Sequence, residues 1–355
     1  MRRTRSTIGA IVCAVLLVAG EVAAFIFAWK EGVWVSVAQI VGFAIGCVFA
    51  PIIHELGHIL FAKSQNMQIV YAKFSFLKIQ IKRGKKRLSF ASPFAPDETQ
   101  VLPKTGGNME KRTRFYTLGG LIFSGIYVAL VCGVALALTL TVGGIFAYAV
   151  WGLAPYATYL FLLNVLPLEY NSGKTDALVY SGIKKGEPAE KTMLFAMEIQ
   201  GELCEGKRYG EIDEKWYFDL PQLPEDEPLF AVILDLRYRY YLDKGEMQKA
   251  AECLNRLAQA SEYLTDTETE KIAAEFVYMH ALNGDTERAE ACVKGCQAYL
   301  QAETATAKRV LSAVAMLGGK RDALDTLIAQ AQALLHEEKI LGNRKLEETL
   351  LSRLV

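Results

Sequence analysis

The sequence predicts a mainly α polytopic membrane protein. It has about four transmembrane helices, a small β-hairpin insertion between the second and third, and a cytosolic α-helical repeat domain after the fourth. Three observations carry this. The first half of the 355-residue chain is a series of long apolar runs joined by basic segments. One of those segments alternates apolar and polar residues with the period of a strand. From about Lys184 the chain becomes charged, rich in Ala and Leu, and helical in its periodicity. The boundaries that follow are 1–185 for the membrane domain, with the insertion at 64–113, then 186–226 for a linker region and 227–355 for the repeat domain.

Composition narrows the function classes. Hydrophobic residues make up 52% of the chain and the formal net charge is zero. No basic helix with interleaved aromatics is present, so nucleic acid is excluded as a partner. Cys13, Cys47, Cys132, Cys204, Cys253, Cys292 and Cys296 form no C-x-x-C pair and no disulfide framework, and are expected to be reduced thiols.

The first apolar run, Thr7 to Trp29, follows Arg2, Arg3 and Arg5. Val22-Ala23-Ala24 would also suit a signal-peptide cleavage site, but the run continues past it to roughly the ~20 residues of a spanning helix. The arginines orient the N-terminus to the cytoplasm. Glu21 is the one acid in this span, which makes it a functional candidate, although helix packing explains it better at the outer end.

The second span, Val33 to about Ala62, contains His54-Glu55-Leu56-Gly57-His58. On a helix, positions i and i+4 lie roughly 40° apart in azimuth and about 6 Å apart along the axis. Two imidazoles so placed reach one metal ion from the same face, and Glu55 projects beside the ion's water as a proton acceptor. A buried helix with two satisfied polar residues is the bland alternative. Three polar groups together in a hydrophobic span are expensive without a metal or partner. The helix is apolar all round, which points to a metal inside the bilayer and away from a soluble protease. Pro51 is expected to kink it, and His58, five residues before Lys63, should lie about 8 Å below the cytoplasmic surface.

The basic excursion that follows carries Ile69, Tyr71, Lys73, Ser75, Leu77, Ile79 and Ile81 as one alternating strand row. Lys82-Arg83-Gly84-Lys85-Lys86 is a turn and Leu88-Ser89-Phe90 starts the return strand. Such a unit is either a surface hairpin with a basic tip or an edge strand that pairs with an extended substrate beside the metal. Spans three and four run from Phe115 to about Thr141 and from Gly144 to about Leu166. Gly119, Gly120 and Gly125 suit close helix packing.

A hydrolytic zinc site needs three protein ligands and one open position. The acids near the cytoplasmic end of span four are Glu169 and Asp176, with Asn164 as a polar neighbour. Asp176 also suits the N-cap of a helix over Ala177 to Lys184.

With these residues in view, the chain from 1 to about 185 resembles the site-2 protease family of intramembrane zinc metalloproteases (peptidase M50-like). That family pairs H-E-x-x-H on one transmembrane helix with N-x-x-P and an Asp-Gly on a later one. His54 to His58 match the first motif, Asn164-Val165-Leu166-Pro167 the second, and Gly119-Gly120 is similar to a Gly-rich patch on the intervening span. Ala177 replaces the Gly, and eight residues separate Pro167 from Asp176. Ser124 stands where the family has an Asn on the third span, and no role is carried onto it. The resemblance implies Zn2+ held by His54, His58 and Asp176, Glu55 as general base, and Asn164 as a hydrogen-bond donor to substrate or oxyanion. It implies peptide-bond hydrolysis at or within the bilayer, on membrane proteins with a single-span or signal-peptide-like segment. The expected location is the cell membrane, multi-pass, with both termini cytoplasmic.

In the last third, Gly245-Glu246-Met247-Gln248-Lys249-Ala250, Gly284-Asp285-Thr286-Glu287-Arg288-Ala289 and Gly319-Lys320-Arg321-Asp322-Ala323 mark turns between helices, about 39 and 35 residues apart. The spacing is near that of tetratricopeptide arrays, whose concave surface takes a protein partner; an irregular bundle is the alternative. His280 and His336 stand alone and are read as ordinary core or surface residues. Two competing functions remain: a catalytically silent membrane adaptor acting through the repeat domain, and a zincin whose catalytic helix lies in the cytoplasm.

Overall fold

A computed structural model of the chain describes residues 2–82, 85–92, 97–170, 173–260 and 264–355. Helices dominate it, and the chain divides into two compact units: Met1–Leu102 with Glu110–Glu190, and Pro103–Met109 with Lys191–Val355.

The first unit contains four helices long and apolar enough to cross a membrane: α1 (Arg2–Glu31), α2 (Val33–Ser64), α3 (Met109–Thr141) and α4 (Gly144–Val165). A helix covers each of the four expected apolar runs, a few residues longer or shorter than the run. The hand-over from α1 to α2 takes one residue, Gly32, at φ 127°, a backbone conformation that an L side chain rarely adopts. Gly42 and Gly152 let α2 and α4 touch backbone to backbone, since a methyl on Gly42 would overlap the carbonyl of Ala149 and one on Gly152 that of Gln39. Close approach of this kind gives dispersion contacts where lipid supplies no hydrophobic drive. Gln39 Nε2 donates to Glu21 Oε1 at 2.9 Å, so the acid within the apolar run of α1 ties α1 to α2. Pro51 sits inside α2, which runs unbroken through it to Ser64.

The insertion between α2 and α3 is richer than a hairpin. Strands β1 (Met67–Phe74), β2 (Leu77–Lys82), β3 (Lys85–Phe90) and β4 (Glu98–Pro103) form one sheet in the order β3-β2-β1-β4. The single alternating row expected from Ile69 to Ile81 is two strands. The chain reverses at Ser75, whose φ is 54°, and Phe74 pairs with Leu77, Lys73 with Lys78 and Tyr71 with Gln80. A two-residue loop keeps the alternation going in sequence while exchanging the faces. Tyr71 and Lys73 therefore share a side with Gln80 and Lys78, and not with Leu77 and Ile79. The return strand contains Leu88, Ser89 and Phe90 but starts earlier than expected, at Lys85, with Lys82 opposite Lys85 and Ile81 opposite Lys86, so three of the five expected turn residues are strand; Arg83 and Gly84 lie outside the described residues.

After α4, two short strands, β5 (Glu169–Tyr170) and β6 (Gly173–Lys174), pair antiparallel and lead into α5 (Asp176–Lys185). Asn171 and Ser172, between them, lie outside the described residues.

In the second unit the stretch 186–226, expected to be a linker, is built into the fold. Helix α6 (Pro188–Cys204), a 3-10 turn at Tyr209–Glu211 and the short α7 (Lys215–Phe218) send Ile199, Leu203, Tyr209 and Tyr217 into its hydrophobic core. Its proline-punctuated tail also packs, with Leu223 buried. Three helix pairs follow: α8 (Pro228–Lys244) with α9 (Met247–Gln259), α10 (Asp266–Leu282) with α11 (Thr286–Lys294), and, after the short α12 (Gln297–Leu300), α13 (Ala305–Leu317) with α14 (Arg321–Leu335). Gly245, Gly284 and Gly319 all adopt positive φ (77°, 72° and 64°) at the turns where the sequence put them. Helix α15 (Leu341–Ser352) closes the unit with Leu346, Leu350 and Leu351 buried. Among these helices Arg309 is fully buried, donating from Nε to Glu347 Oε2 and from Nη2 to Glu275 Oε1, both at 2.8 Å.

Candidate metal centre

His54, Glu55 and His58 lie in the last third of α2, and each is at least 95% buried. The one-turn spacing puts the two imidazoles side by side, ring centroids 4.9 Å apart. Asp176 arrives from the start of α5. Its Oδ2 lies 3.1 Å from His58 Nε2 and 3.3 Å from His54 Nε2. Among the described residues these three form a cluster able to hold a metal ion.

Asp176 does not act as the helix cap. Thr175 occupies that position and Asp176 is the first helical residue, so its carboxylate is free to face the histidines. Thr175 is knotted into the preceding segment: its hydroxyl donates to Leu166 O (2.7 Å) and accepts from Leu168 N (3.0 Å), and its own amide donates to Leu168 O (3.0 Å). The anchorage fixes where α5 begins. A helix N-terminus also favours a carboxylate through its partial positive charge. Glu169, the other acid considered for this place, sits in the β5–β6 ribbon opposite Lys174 and outside the cluster.

The far nitrogens of both imidazoles are engaged. His54 Nδ1 is 2.9 Å from Ser124 Oγ, and His58 Nδ1 is 3.2 Å from the carbonyl oxygen of Tyr116, both on α3. A carbonyl only accepts, so His58 carries a proton on Nδ1 and turns Nε2 toward Asp176. Asp176 Oδ2 is buried and, among the described residues, has no hydrogen-bond partner. A carboxylate oxygen facing two imidazole nitrogens is an arrangement that a shared cation, a proton or a metal ion, holds together.

Size agrees with chemistry. Donors at ~2.0–2.1 Å from a tetrahedral ion stand about 3.3 Å from one another, and Zn2+ takes His nitrogen and carboxylate oxygen at such distances. The observed 3.1 and 3.3 Å are edges of that size. Two of the three edges are thus of the right size, and the donor set is one that could hold a metal ion.

Helix α3 forms the back wall. A methyl on Gly57 would overlap the carbonyl of Gly119 and one on Gly119 that of Gly57, so α2 and α3 meet backbone to backbone there. A methyl on Gly120 would run into His58 Nε2 and His54 Nε2, so only glycine leaves that space open. Arg112 grips the end of α2 by donating from Nη2 to Gln65 O at 2.7 Å and from Nε at 3.0 Å, pairing a cation with carbonyls at a helix C-terminus.

Glu55 is met from the sheet. Thr99 Oγ1, on β4, donates to Glu55 Oε2 at 2.5 Å, and Tyr116 Oη donates to the Thr99 carbonyl at 2.5 Å. Asn164 lies in the last turn of α4 and donates from Nδ2 to Leu160 O at 3.1 Å; among the described residues it makes no hydrogen bond to the cluster. Sequence reasoning left three contributors without a role. Ser124 carried a family position but no assignment, while Tyr116 and Thr99 carried no signal, because a backbone carbonyl and a lone strand threonine leave no mark in the sequence.

No protein-family model, characterised protein or solved structure matches the chain.

Proposed function

We propose that the protein is an intramembrane zinc metalloprotease, similar to the site-2 proteases, that hydrolyses peptide bonds of membrane-embedded or membrane-adjacent substrate segments. The observation that carries this is the unpartnered Asp176 Oδ2 aimed at the Nε2 atoms of two histidines whose other nitrogens are already engaged.

His54, His58 and Asp176 would hold Zn2+, leaving one position open. When bound, the ion supplies a Lewis acid that lowers the pKa of a water and polarises the scissile carbonyl. Glu55 accepts the water's proton on its carboxylate and passes it to the departing amine nitrogen. Ser124 and the Tyr116 carbonyl keep the two imidazoles turned toward the ion. Asn164 spends one Nδ2 hydrogen on Leu160 and keeps the second, which would serve the substrate or its oxyanion. An extended substrate segment, single-span or signal-peptide-like, suits pairing at a sheet edge. The four apolar helices support a multi-pass location in the cell membrane, with both termini on the cytoplasmic side by the positive-inside rule.

The second unit fits a docking role for a protein partner. Its helices border a partly open cavity of about 690 Å³ whose lining mixes Leu236, Leu254 and Leu257 with charged Asp235, Glu268 and Lys271.

The test is metal analysis and proteolysis on the same purified full-length protein. Glu55→Gln retains zinc and loses cleavage, whereas His54→Ala loses both. In cells, Glu55→Gln traps membrane proteins that the wild type releases. Wild-type protein free of zinc, with intact partner binding by the second unit, would favour the silent adaptor instead.

A further inference from the structure

Strand β4 is the outer strand of the sheet on the side of β1, and it delivers one hydroxyl to the catalytic helix. Thr99 Oγ1 donates to Glu55 Oε2, and the strand is held in place from behind, because Tyr116 Oη donates to the Thr99 carbonyl. The same Tyr116 accepts His58 Nδ1 on its own carbonyl. Four residues thus form one chain of contacts, Glu55–Thr99–Tyr116–His58, whose two ends are neighbours on α2. Next along, Asp97 fixes the start of β4 by accepting from Lys73 Nζ (2.8 Å) and Ser75 N (2.7 Å) on the adjoining strand and turn.

We propose that Thr99 is a positioning residue for Glu55, and that Tyr116 sets Glu55 and His58 in common register through it. The inference rests on the protease reading above. A glutamate side chain has three rotatable bonds, and in a buried site an unguided carboxylate samples orientations that do not face the water it must deprotonate. A hydroxyl donor on Oε2 selects one orientation and leaves Oε1 to take the proton. Tyr116 makes the selection common to base and ligand. Its carbonyl turns the His58 ring, and its hydroxyl fixes the strand that turns Glu55. Thr99 touches neither substrate nor metal, and acts through Glu55.

The test compares Thr99→Val, which keeps shape and loses the hydroxyl, with Thr99→Ser, which keeps the hydroxyl, in full-length protein in detergent. Two readouts are taken: steady-state hydrolysis of a quenched-fluorescence peptide carrying one apolar span in the detergent micelle, and the infrared carboxyl band of Glu55, assigned by its loss in Glu55→Gln and recorded without metal. A hydrogen bond to a charged group contributes enough to change a rate by about tenfold to a hundredfold. Thr99→Val is expected to lower kcat by that factor with KM, zinc content and Tm held, and to shift the Glu55 band. Thr99→Ser recovers most of kcat and the original band. Tyr116→Phe shifts the band as well, and its effect does not add to that of Thr99→Val, since both break one path.

A Glu55 band unmoved in Thr99→Val, or wild-type kcat in that variant, overturns the proposal. An apolar-span reporter left uncut by zinc-loaded wild type overturns the protease reading instead. In that case the metal-free band still reports whether Thr99 orients the carboxylate.

Discussion

Oδ2 of Asp176 lies 3.1 Å from Nε2 of His58, with two membrane-length helices between them in the chain. Everything proposed for the catalytic unit depends on that meeting. The acid comes from the first turn of α5 and the imidazole from the end of α2, and no local rule of helix formation brings them together.

The first consequence concerns ligand identity. Asp176→Ala is expected to abolish stoichiometric zinc, because two imidazoles alone form an incomplete set, while Glu169→Ala retains it. Elemental analysis of the purified variants decides. Full zinc in Asp176→Ala would remove the third ligand from the scheme.

Gly120 offers a second test that changes no ligand. Its missing side chain is the space in front of both Nε2 atoms, so Gly120→Ala should lower zinc occupancy severely although all three donors remain. Gly125→Ala, on the same helix and against the flexible ring edge of Phe161, should bind zinc as the wild type does. Parallel zinc titrations against a chelator give the comparison. Equal occupancy in the two variants would mean that the α3 wall does not shape the site.

Ser124 orients His54 by a single hydrogen bond. Loss of such an outer partner typically weakens metal affinity about 10- to 100-fold. Ser124→Ala should therefore fall within that range in chelator competition while keeping its Tm. An unchanged affinity would show that packing alone holds the ring.

In the second unit, Arg309→Met leaves Glu275 and Glu347 buried without their cation and should cost about 3–5 kcal/mol. Replacing all three with apolar residues of similar volume should recover much of the loss, since the desolvation of the charges disappears with them. Calorimetry of the full-length variants measures both. A triple variant less stable than Arg309→Met would contradict this account.

The same network sets an acid limit. Burial pushes the Glu275 carboxyl up, but the guanidiniums of Arg309 and Arg239 outweigh it and hold the group below the usual glutamate value. A depressed folded value means that the stabilisation is fully present above the unfolded pKa of about 4.3 and fades as pH falls through the folded one. The thermal transition of the second unit should drop below about pH 4 in the wild type. In Glu275→Gln it should be lower at neutral pH and flatter with acid. A wild-type transition insensitive to acid would show that another group controls the limit.

Several features were legible in the sequence for identifiable reasons. The four long helices follow from apolar runs whose length matches a bilayer. The pairing of His54 with His58 follows from the turn of one helix. The positive-φ glycines Gly245, Gly284 and Gly319 were visible as breaks between amphipathic segments. Other features were hidden because a pattern along the chain carries no direction in space. Alternation from Ile69 to Ile81 is the same for one strand as for two joined by a two-residue turn, so the reversal at Ser75 and the exchange of faces could not be read from it. The stretch 186–226 looked like a linker by its prolines, whereas its Ile199, Leu203 and Tyr217 find a core only when α8 and its neighbours supply one.

What the residues alone determined, then, is the local chemistry: which segments prefer lipid, and that one of them carries two imidazoles and an acid on adjacent faces. Only the tertiary structure decided between Asp176 and Glu169 as the acid beside the imidazoles, gave Ser124, Tyr116 and Thr99 their partners, and turned Gly120 into an opening. The physical reason is range. Helical spacing acts over a single turn, whereas these contacts join α2 to a strand and two other helices, and their positions follow from packing of the whole unit.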